Sequence, residues 1–469
     1  MPGRTESGRD RAAIGTRDMA ETPPPSAPTG TRIAFASPLE SARVLGEVLL
    51  PTVAQGVILR RPAAVTAAAA LETDRRAVRL LQRLRERHDA DALALRLNGR
   101  DVVLLLTPRA ATRVLEGTPV PYRTATVEKR ASLAHFQPTG VLISDGPLRA
   151  ERRAFNEAVL ETDLPVHRLA DQITAAARQE MSTLVTGRDR LEWPAFSAAF
   201  ERLVRRIVLG DGARTDVELT NLLAALRRDA NWAYLRPRRG SLLHRFRLRL
   251  ATHLDRAEPG SLAALLAEQR ARPGVDPYGQ VPHWLFAYDA AAATAFRTLA
   301  LLSTHAKPRL RLRDELAALD EAAGPHPYLS ACVLDTVRLW PTTLAILRES
   351  TAVTMWGGTP LPRGTSFVIY SPLLNRDTAY LPGADGFQPE LWLGDTAGRA
   401  ALLVPFSAGP AVCPGRSLVL QTVTAALAAL LREHDFRLLA RARLDEGSPL
   451  PHTFGHMSIG FTITPAWMM

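Results

Sequence analysis

Val404-Pro405-Phe406-Ser407-Ala408-Gly409-Pro410-Ala411-Val412-Cys413-Pro414-Gly415-Arg416 is the most informative stretch of this chain. It places a cysteine in a loop of small residues at the entrance of a helix that the apolar spacing carries from about Pro414 to His434. Pro414 suits a first helical turn, where backbone N–H groups are unpaired and aimed outward with the positive end of the helix dipole. Such surroundings predict a lowered thiol pKa and hydrogen bonds to a thiolate sulfur. Gly409 and Gly415 allow close approach of a flat ligand, or backbone angles that side-chained residues resist. These features favour a working thiolate; a buried free cysteine serving only packing is the other reading.

The rest of the chain sets the frame. Its 469 residues are 46% hydrophobic and 22% charged, the composition of a globular enzyme with a large core. Lys+Arg 58 against Asp+Glu 47 gives a net charge of +11, nearly all of it arginine, since lysine occurs only at Lys129 and Lys307. A basic surface suits nucleic acid, an anionic membrane or an acidic protein, and net charge does not choose among them. Two cysteines, Cys332 and Cys413, exclude a disulfide-rich scaffold and a four-cysteine zinc site, and point to a reducing cytoplasm. The sequence reads as having neither an apolar run long enough for a membrane span nor a signal peptide.

Residues 1 to about 35 are polar and then proline-rich, and read as a disordered tail ahead of a single domain over 36–469. Leu93, Leu95 and Leu97 alternate on one face of a strand, Asn98-Gly99 makes a hairpin turn, and Val102 to Leu106 returns as a second strand. From about 147 to 340 the spacing is helical throughout. A second β patch runs from Val353 to Trp356, through Gly357-Gly358, to Ser366-Phe367-Val368-Ile369-Tyr370, and Ser458 to Thr464 reads as a strand. The expected fold class is mainly α with small segregated sheets. No GxGxxG or phosphate-binding loop supports a nucleotide fold.

The spacing Phe406-x-x-Gly409-x-x-x-Cys413-x-Gly415 resembles the heme-binding loop of the cytochrome P450 family. That resemblance implies a heme iron ligated by Cys413, with Phe406 packed close to the sulfur; a thiolate ligand pushes electron density onto iron and favours O–O cleavage. Other segments extend it over about residues 36 to 469. Asp335-Thr336-Val337-Arg338 is similar to the family's Glu-x-x-Arg motif with Asp in place of Glu, and positions three apart share a helix face. Asn375-Arg376-Asp377 and Phe387-Gln388-Pro389-Glu390-Leu391-Trp392 resemble the segment ahead of the heme loop, with Leu391 where the family usually has Arg. Arg348 matches an arginine that commonly meets a heme propionate, and Arg149 and Arg153 fall on the two cationic positions of the family's C helix. Ala411 stands where many members carry His or Arg, so one propionate contact is missing.

Trp284 to Phe296 resembles the central helix whose acid and alcohol bring protons to bound dioxygen in the family, a form of general acid catalysis. Asp289 falls on the acid and Ala290 on the alcohol, which is therefore absent. Asp289 is the expected catalytic residue, with water or a substrate hydroxyl in place of the alcohol. Thr294, one turn on, reads as bonded to its own helix. His452 and His456 would form a metal pair only on a helix, which Gly455 and the following alternation oppose. The arginine-rich stretch from Arg227 to Arg256, with Trp232, Tyr234 and Phe246, falls on the family's entrance-covering region and reads as solvated helix faces.

Taken together, the resemblance implies a bacterial-style heme-thiolate monooxygenase of secondary metabolism. It would bind heme b, take electrons from NAD(P)H through ferredoxin reductase and ferredoxin, and insert one oxygen atom of O2 into a lipophilic small molecule. Residues 117–144, 215–250 and 284–295, with Thr342 to Leu347, would shape the pocket, and an acidic ferredoxin would dock on the Cys413 side. No nucleic-acid partner or transmembrane segment is expected. Two other readings stay open: a heme-thiolate enzyme with non-hydroxylating chemistry (coupling, desaturation, rearrangement or peroxide use), motivated by Ala290, and a degenerate binding module, motivated by Asp335, Leu391, Ala411 and Ala290.

Overall fold

A computed structural model describes residues 30–466 except 98, 320–324, 395–402 and 440–443. The helices are α1 (Pro38–Val44), α2 (Leu50–Ala54), α3 (Pro62–Ala70), α4 (Thr73–His88), α5 (Pro108–Glu116), α6 (Val127–Leu133), α7 (Gly146–Val159), α8 (Ala170–Val185) and α9 (Trp193–Leu209). They continue with α10 (Val217–Ala230), α11 (Gly240–Arg256), α12 (Leu262–Glu268), α13 (Val281–Thr304), α14 (Ala306–Ala318), α15 (Pro327–Leu339), α16 (Ser371–Asn375) and α17 (Arg416–Leu431). The strands are β1 (Ile33–Phe35), β2 (Ala92–Leu97), β3 (Arg100–Leu105), β4 (Tyr122–Arg123), β5 (Arg190–Glu192), β6 (Ala345–Ser350), β7 (Thr354–Trp356), β8 (Thr359–Leu361), β9 (Ser366–Tyr370), β10 (His434–Leu438) and β11 (Gly460–Pro465). The fold is mainly helical with small separate sheets, as the sequence implies.

Sequence periodicity explains each kind of element. In α4, Ala77, Val78, Leu80, Leu81 and Leu84 are buried on one face while arginines occupy the other. Helix α13 is nearly all apolar, and from Ala291 to Leu302 every residue is buried. It packs against α9, α15, α17 and β10 at the centre of the molecule. By length and composition α13 is apolar enough to cross a membrane, which the sequence reading overlooked; 78% of that window is buried inside the fold, as in a core helix.

The β elements differ from expectation in three ways. Only part of the second patch stands apart: β9 joins the hairpin in one sheet of order β1-β2-β3-β9-β6-β4, because β3 pairs in parallel with β9 from Val102↔Ser366 to Leu105↔Ile369, while β7 and β8 form a two-stranded sheet of their own. Helical spacing over 147–340 concealed β5, a three-residue strand whose Arg190–Glu192 pair antiparallel with Gly460–Thr462 of β11. The expected tail boundary also moves: Ile33–Phe35 pair with Ala92–Ala94, so the strand lies inside the segment read as tail, while residues 1–29 lie outside the described residues.

Candidate functional site

The Cys413 loop is shaped by its own backbone. Cys413 N–H donates to Phe406 O at 2.9 Å, Val412 N–H to Gly409 O at 2.9 Å and Ser407 N–H to Val404 O at 3.2 Å. Gly409 has φ +65°, and a Cβ there would lie 2.4 Å from Leu115 O at the end of α5, so the close packing of loop on helix requires glycine. Gly415 caps α17 with a negative φ, and a Cβ on it would meet only Leu160 Cδ1 at 3.8 Å; the conformational demand expected there is absent.

Three further bonds tie the loop to the segment around α7 and to β6. Arg153 Nη1 donates to Val412 O at 2.7 Å, Thr162 Oγ1 to Pro414 O at 2.8 Å and Arg348 Nη2 to Ser407 Oγ at 3.4 Å. Phe406 and Cys413 both retain partial exposure. The thiol pKa is the reverse of the expected lowering: burial pushes it up, and the Gly415 N–H, Arg153 and Arg416 oppose that push without overcoming it. A cation at the sulfur would displace that proton, since thiolate is the ligating form.

Above the loop, α13 presents an accessible stripe in an otherwise buried helix: His283, Phe286, Ala287 and Ala290, spaced to share one face, with Asp289 on its flank. Tyr288 carries α13 onto α17 through its hydroxyl, 3.3 Å from Thr422 Oγ1, and lies within electrostatic reach of Cys413. Trp284 Nε1 donates to Asn156 Oδ1 of α7 at 2.7 Å. Thr294 Oγ1 bonds Ala290 O at 2.8 Å, the self-satisfied geometry expected of it.

Asp289 pairs with Arg227 of α10, Nη2 to Oδ2 at 2.5 Å. The guanidinium also stands 4.9 Å over the Phe286 ring. Arg227 is therefore a buried partner of the central helix and not, as read from sequence, part of a solvated face. Farther along that stretch, Arg245 and Arg249 pair with Glu218 and Asp216, while Tyr234 and Trp232 are exposed.

The expected cations lie near the loop. Arg149 and Arg348 are both buried. Arg149 Nε reaches Thr124 Oγ1 at 3.4 Å, and Arg348 Nε reaches Thr118 Oγ1 at 3.0 Å. Among the described residues neither has a carboxylate at ion-pair distance. Burial and then Arg149 push Arg348 down to about 10. Buried, unpaired guanidinium groups are costly unless an anion meets them. Arg153 is shared between Glu157 at 2.5 Å and the loop.

Asp335 and Arg338 form a fully buried pair on α15, Nε to Oδ1 2.5 Å and Nη2 to Oδ2 3.0 Å. The arginine also donates to the carbonyls of Asn375, Ala384 and Gly386. Leu391 contributes nothing polar, and in its place the carboxylate accepts from Gln388 N–H at 2.7 Å and Trp392 Nε1 at 3.1 Å. Sequence reasoning missed this substitution, although Trp392 stood beside the missing arginine. His452 pairs with Asp385 and His456 opens a short 3₁₀ turn; among the described residues no cluster of metal-ligating side chains occurs.

The structure thus brings together a cysteine loop at a helix entrance, the central helix α13 and the buried cations Arg149 and Arg348. The cytochrome P450 family profile matches residues 289–451, from Asp289 of the central helix through the Cys413 loop. The chain is similar to drimenol monooxygenase of Persicaria hydropiper, 26% identical over 296 residues, 58% of this chain and 57% of the relative. It also resembles 4-hydroxyphenylacetaldehyde oxime monooxygenase of Sorghum bicolor, 35% identical over 136 residues (28% and 24%), and cytochrome P450 76C3 of Arabidopsis thaliana, 36% over 115 residues (24% and 22%). The aligned part spans little more than half the length of the first of these curated relatives and less of the others. The family match implies a heme iron held by a thiolate, and the residues present fit that group: Cys413, unlike the buried Cys332, is partly exposed, and Arg149 and Arg348 are cations suited to propionates.

Proposed function

We propose that this protein is a heme-thiolate monooxygenase that inserts one oxygen atom from O2 into a lipophilic small molecule. The observation that carries the reading is the Cys413 loop, folded by its own hydrogen bonds with the sulfur accessible and unpaired arginines beside it. The names of the drimenol and oxime monooxygenases support it. Heme b would be held by Cys413, with Arg149 and Arg348 on its propionates and Arg153 steadying the loop through Val412. When bound, that group supplies the activation of dioxygen.

The chain's own residues do the rest. Phe286, Ala287 and Ala290 give an apolar lining for substrate, with the fully buried Phe136 backing Phe286 edge to face at a centroid distance of 5.5 Å. Asp289 is the acid placed to pass protons into the pocket. Glu201 of α9, pushed up by burial and then by the charge of Asp289, holds its proton to higher pH and would serve as a nearby store. Electrons would come from NAD(P)H through ferredoxin reductase and ferredoxin, supported by the +11 charge, which suits an acidic partner. A cytoplasmic setting, and a single catalytic domain that includes β1 from Ile33, complete the reading.

A second reading rests on Ala290. With the alcohol absent and Thr294 committed to its own backbone, peroxide-driven or non-hydroxylating chemistry is favoured if protons reach oxygen slowly.

The test is the absorption spectrum of the reduced protein under carbon monoxide beside Cys413→Ala. A strongly red-shifted Soret band in the wild type alone supports the thiolate site; no heme, or a band typical of histidine ligation, overturns it and favours a non-catalytic binding module. Turnover with peroxide but not with ferredoxin would select the second reading.

A further inference from the structure

Lys129, on α6, stands where a cation needs a counter-charge. Its Nζ donates to Leu347 O at 3.1 Å, and the same carbonyl accepts Nη1 of Arg348 at 3.0 Å. One oxygen thus gathers two cationic donors, no farther apart than those two bonds permit, and Arg149 adds its charge from α7. Glu128, the neighbouring acid, is turned away to Arg100 at 2.9 Å. Among the described residues no carboxylate lies within ion-pair distance of Lys129. Burial, and then Arg348, push the Lys129 ammonium well below its ordinary value. Like charges held together away from water are unfavourable until an anion joins them.

The opposite wall supplies a second donor. His283 of α13 accepts from Gln137 Nε2 at its Nδ1, 3.1 Å away. Burial and then Lys129 depress the imidazole to about 4, so it is neutral and its Nε2 carries the hydrogen. One turn along, Phe286 presents the apolar surface already described, backed by the buried Phe136. A charged donor, a neutral donor and an aromatic wall therefore meet at one place.

We propose that Lys129 is a carboxylate anchor of the ligand pocket, with His283 as its neutral companion. The carboxylate has two sources. It is a heme propionate, replacing the contact that Ala411 cannot make, or the acid group of a lipophilic substrate lying along Phe286. The inference rests on the heme-thiolate reading, and the carbon monoxide band of the wild type tests that reading separately.

The experiment uses the heme-loaded protein with Lys129→Met, which removes charge at similar length, and Lys129→Arg, which keeps it. Heme transfer to excess apomyoglobin reads the propionate arm. Spectral titration with dodecanoate and with methyl dodecanoate reads the substrate arm. Losing one charge-assisted bond should cost roughly tenfold. Faster heme loss in Lys129→Met, restored by Lys129→Arg, identifies the propionate. An acid-over-ester preference in the wild type that disappears in Lys129→Met, with heme loss unchanged, identifies the substrate. Wild-type behaviour of Lys129→Met in both assays overturns the proposal, as does a change that Lys129→Arg does not restore in either.

Discussion

Arg227 and Asp289 join α10 to the central helix α13: the arginine side chain is 6% exposed, while the carboxylate keeps 43% of its surface accessible. One partner is locked and the other still meets solvent. A group so placed can be steered by what happens in α10 while remaining available for proton transfer.

The first prediction concerns that pair. Asp289→Asn should slow product formation on the order of a hundredfold, as loss of a positioned acid does, while spectral substrate binding changes little. Arg227→Met should act in the same direction more weakly, because it frees the carboxylate without removing it. Unchanged product yield per electron consumed in Asp289→Asn would show that protons arrive by another route.

Gly409 and Gly415 offer a matched pair in one loop. Gly409→Ala forces a Cβ to 2.4 Å from Leu115 O, so the loop must move off α5, whereas Gly415→Ala meets only Leu160 at 3.8 Å. Heme content per protein should fall several-fold in the first and stay near wild type in the second, with far-ultraviolet circular dichroism equal in both. Equal heme content in the two variants would detach the loop's shape from its packing.

Asp335→Asn removes one charge from a pair with no solvent exposure and leaves Arg338 facing carbonyls alone. The expected loss is about 3–5 kcal/mol in urea unfolding. Leu391→Arg, which restores the residue common in the family, should also destabilise, because Gln388 N–H and Trp392 Nε1 already occupy the carboxylate and Leu391 packs with Leu381, Ala384 and Leu403. A stabilised Leu391→Arg would contradict this account.

Glu180 gives a prediction in pH. It is fully buried among Arg202, Arg206 and Arg214. Burial alone would raise its pKa, but hydrogen bonds from Arg214 and Arg202, and then their charges, outweigh it and lower it. The folded state therefore holds the proton less tightly than the unfolded chain. Its contribution is complete above the ordinary carboxylate value of about 4.3 and is lost as pH falls through the lower folded value. Glu180→Gln should melt earlier at neutral pH and show a shallower decline of stability below about pH 4.3. Parallel stability curves for the two proteins across that window would exclude the mechanism.

What could be read beforehand followed from locality. Cys413 with Gly409, and the Asp335–Arg338 turn, are set by short spacings, and the structure keeps both, while the demand expected at Gly415 is absent. The Asn98-Gly99 hairpin was equally local, though Asn98 itself lies outside the described residues. What escaped were relations between distant segments. Arg227 looked like one more arginine in a basic run, because only folding brings it to Asp289. Lys129 had no motif at all; its meaning comes from sharing Leu347 O with Arg348. Strand β5 was hidden because three residues between helices carry no period of their own until β11 arrives. The pKa of Cys413 went the other way because local geometry showed the donors and not the depth of burial.

The pairing of β3 with β9 and of β5 with β11 has a consequence for biosynthesis. As the chain leaves the ribosome, the β2–β3 hairpin waits for more than 250 residues before Ser366–Tyr370 emerges, and Arg190–Glu192 waits longer still for Gly460–Pro465. Unpaired strand edges are sites of mispairing. The nascent protein thus passes most of its synthesis with open edges, and its yield in a cell will be governed by chaperone supply and translation speed as much as by the stability of the finished fold.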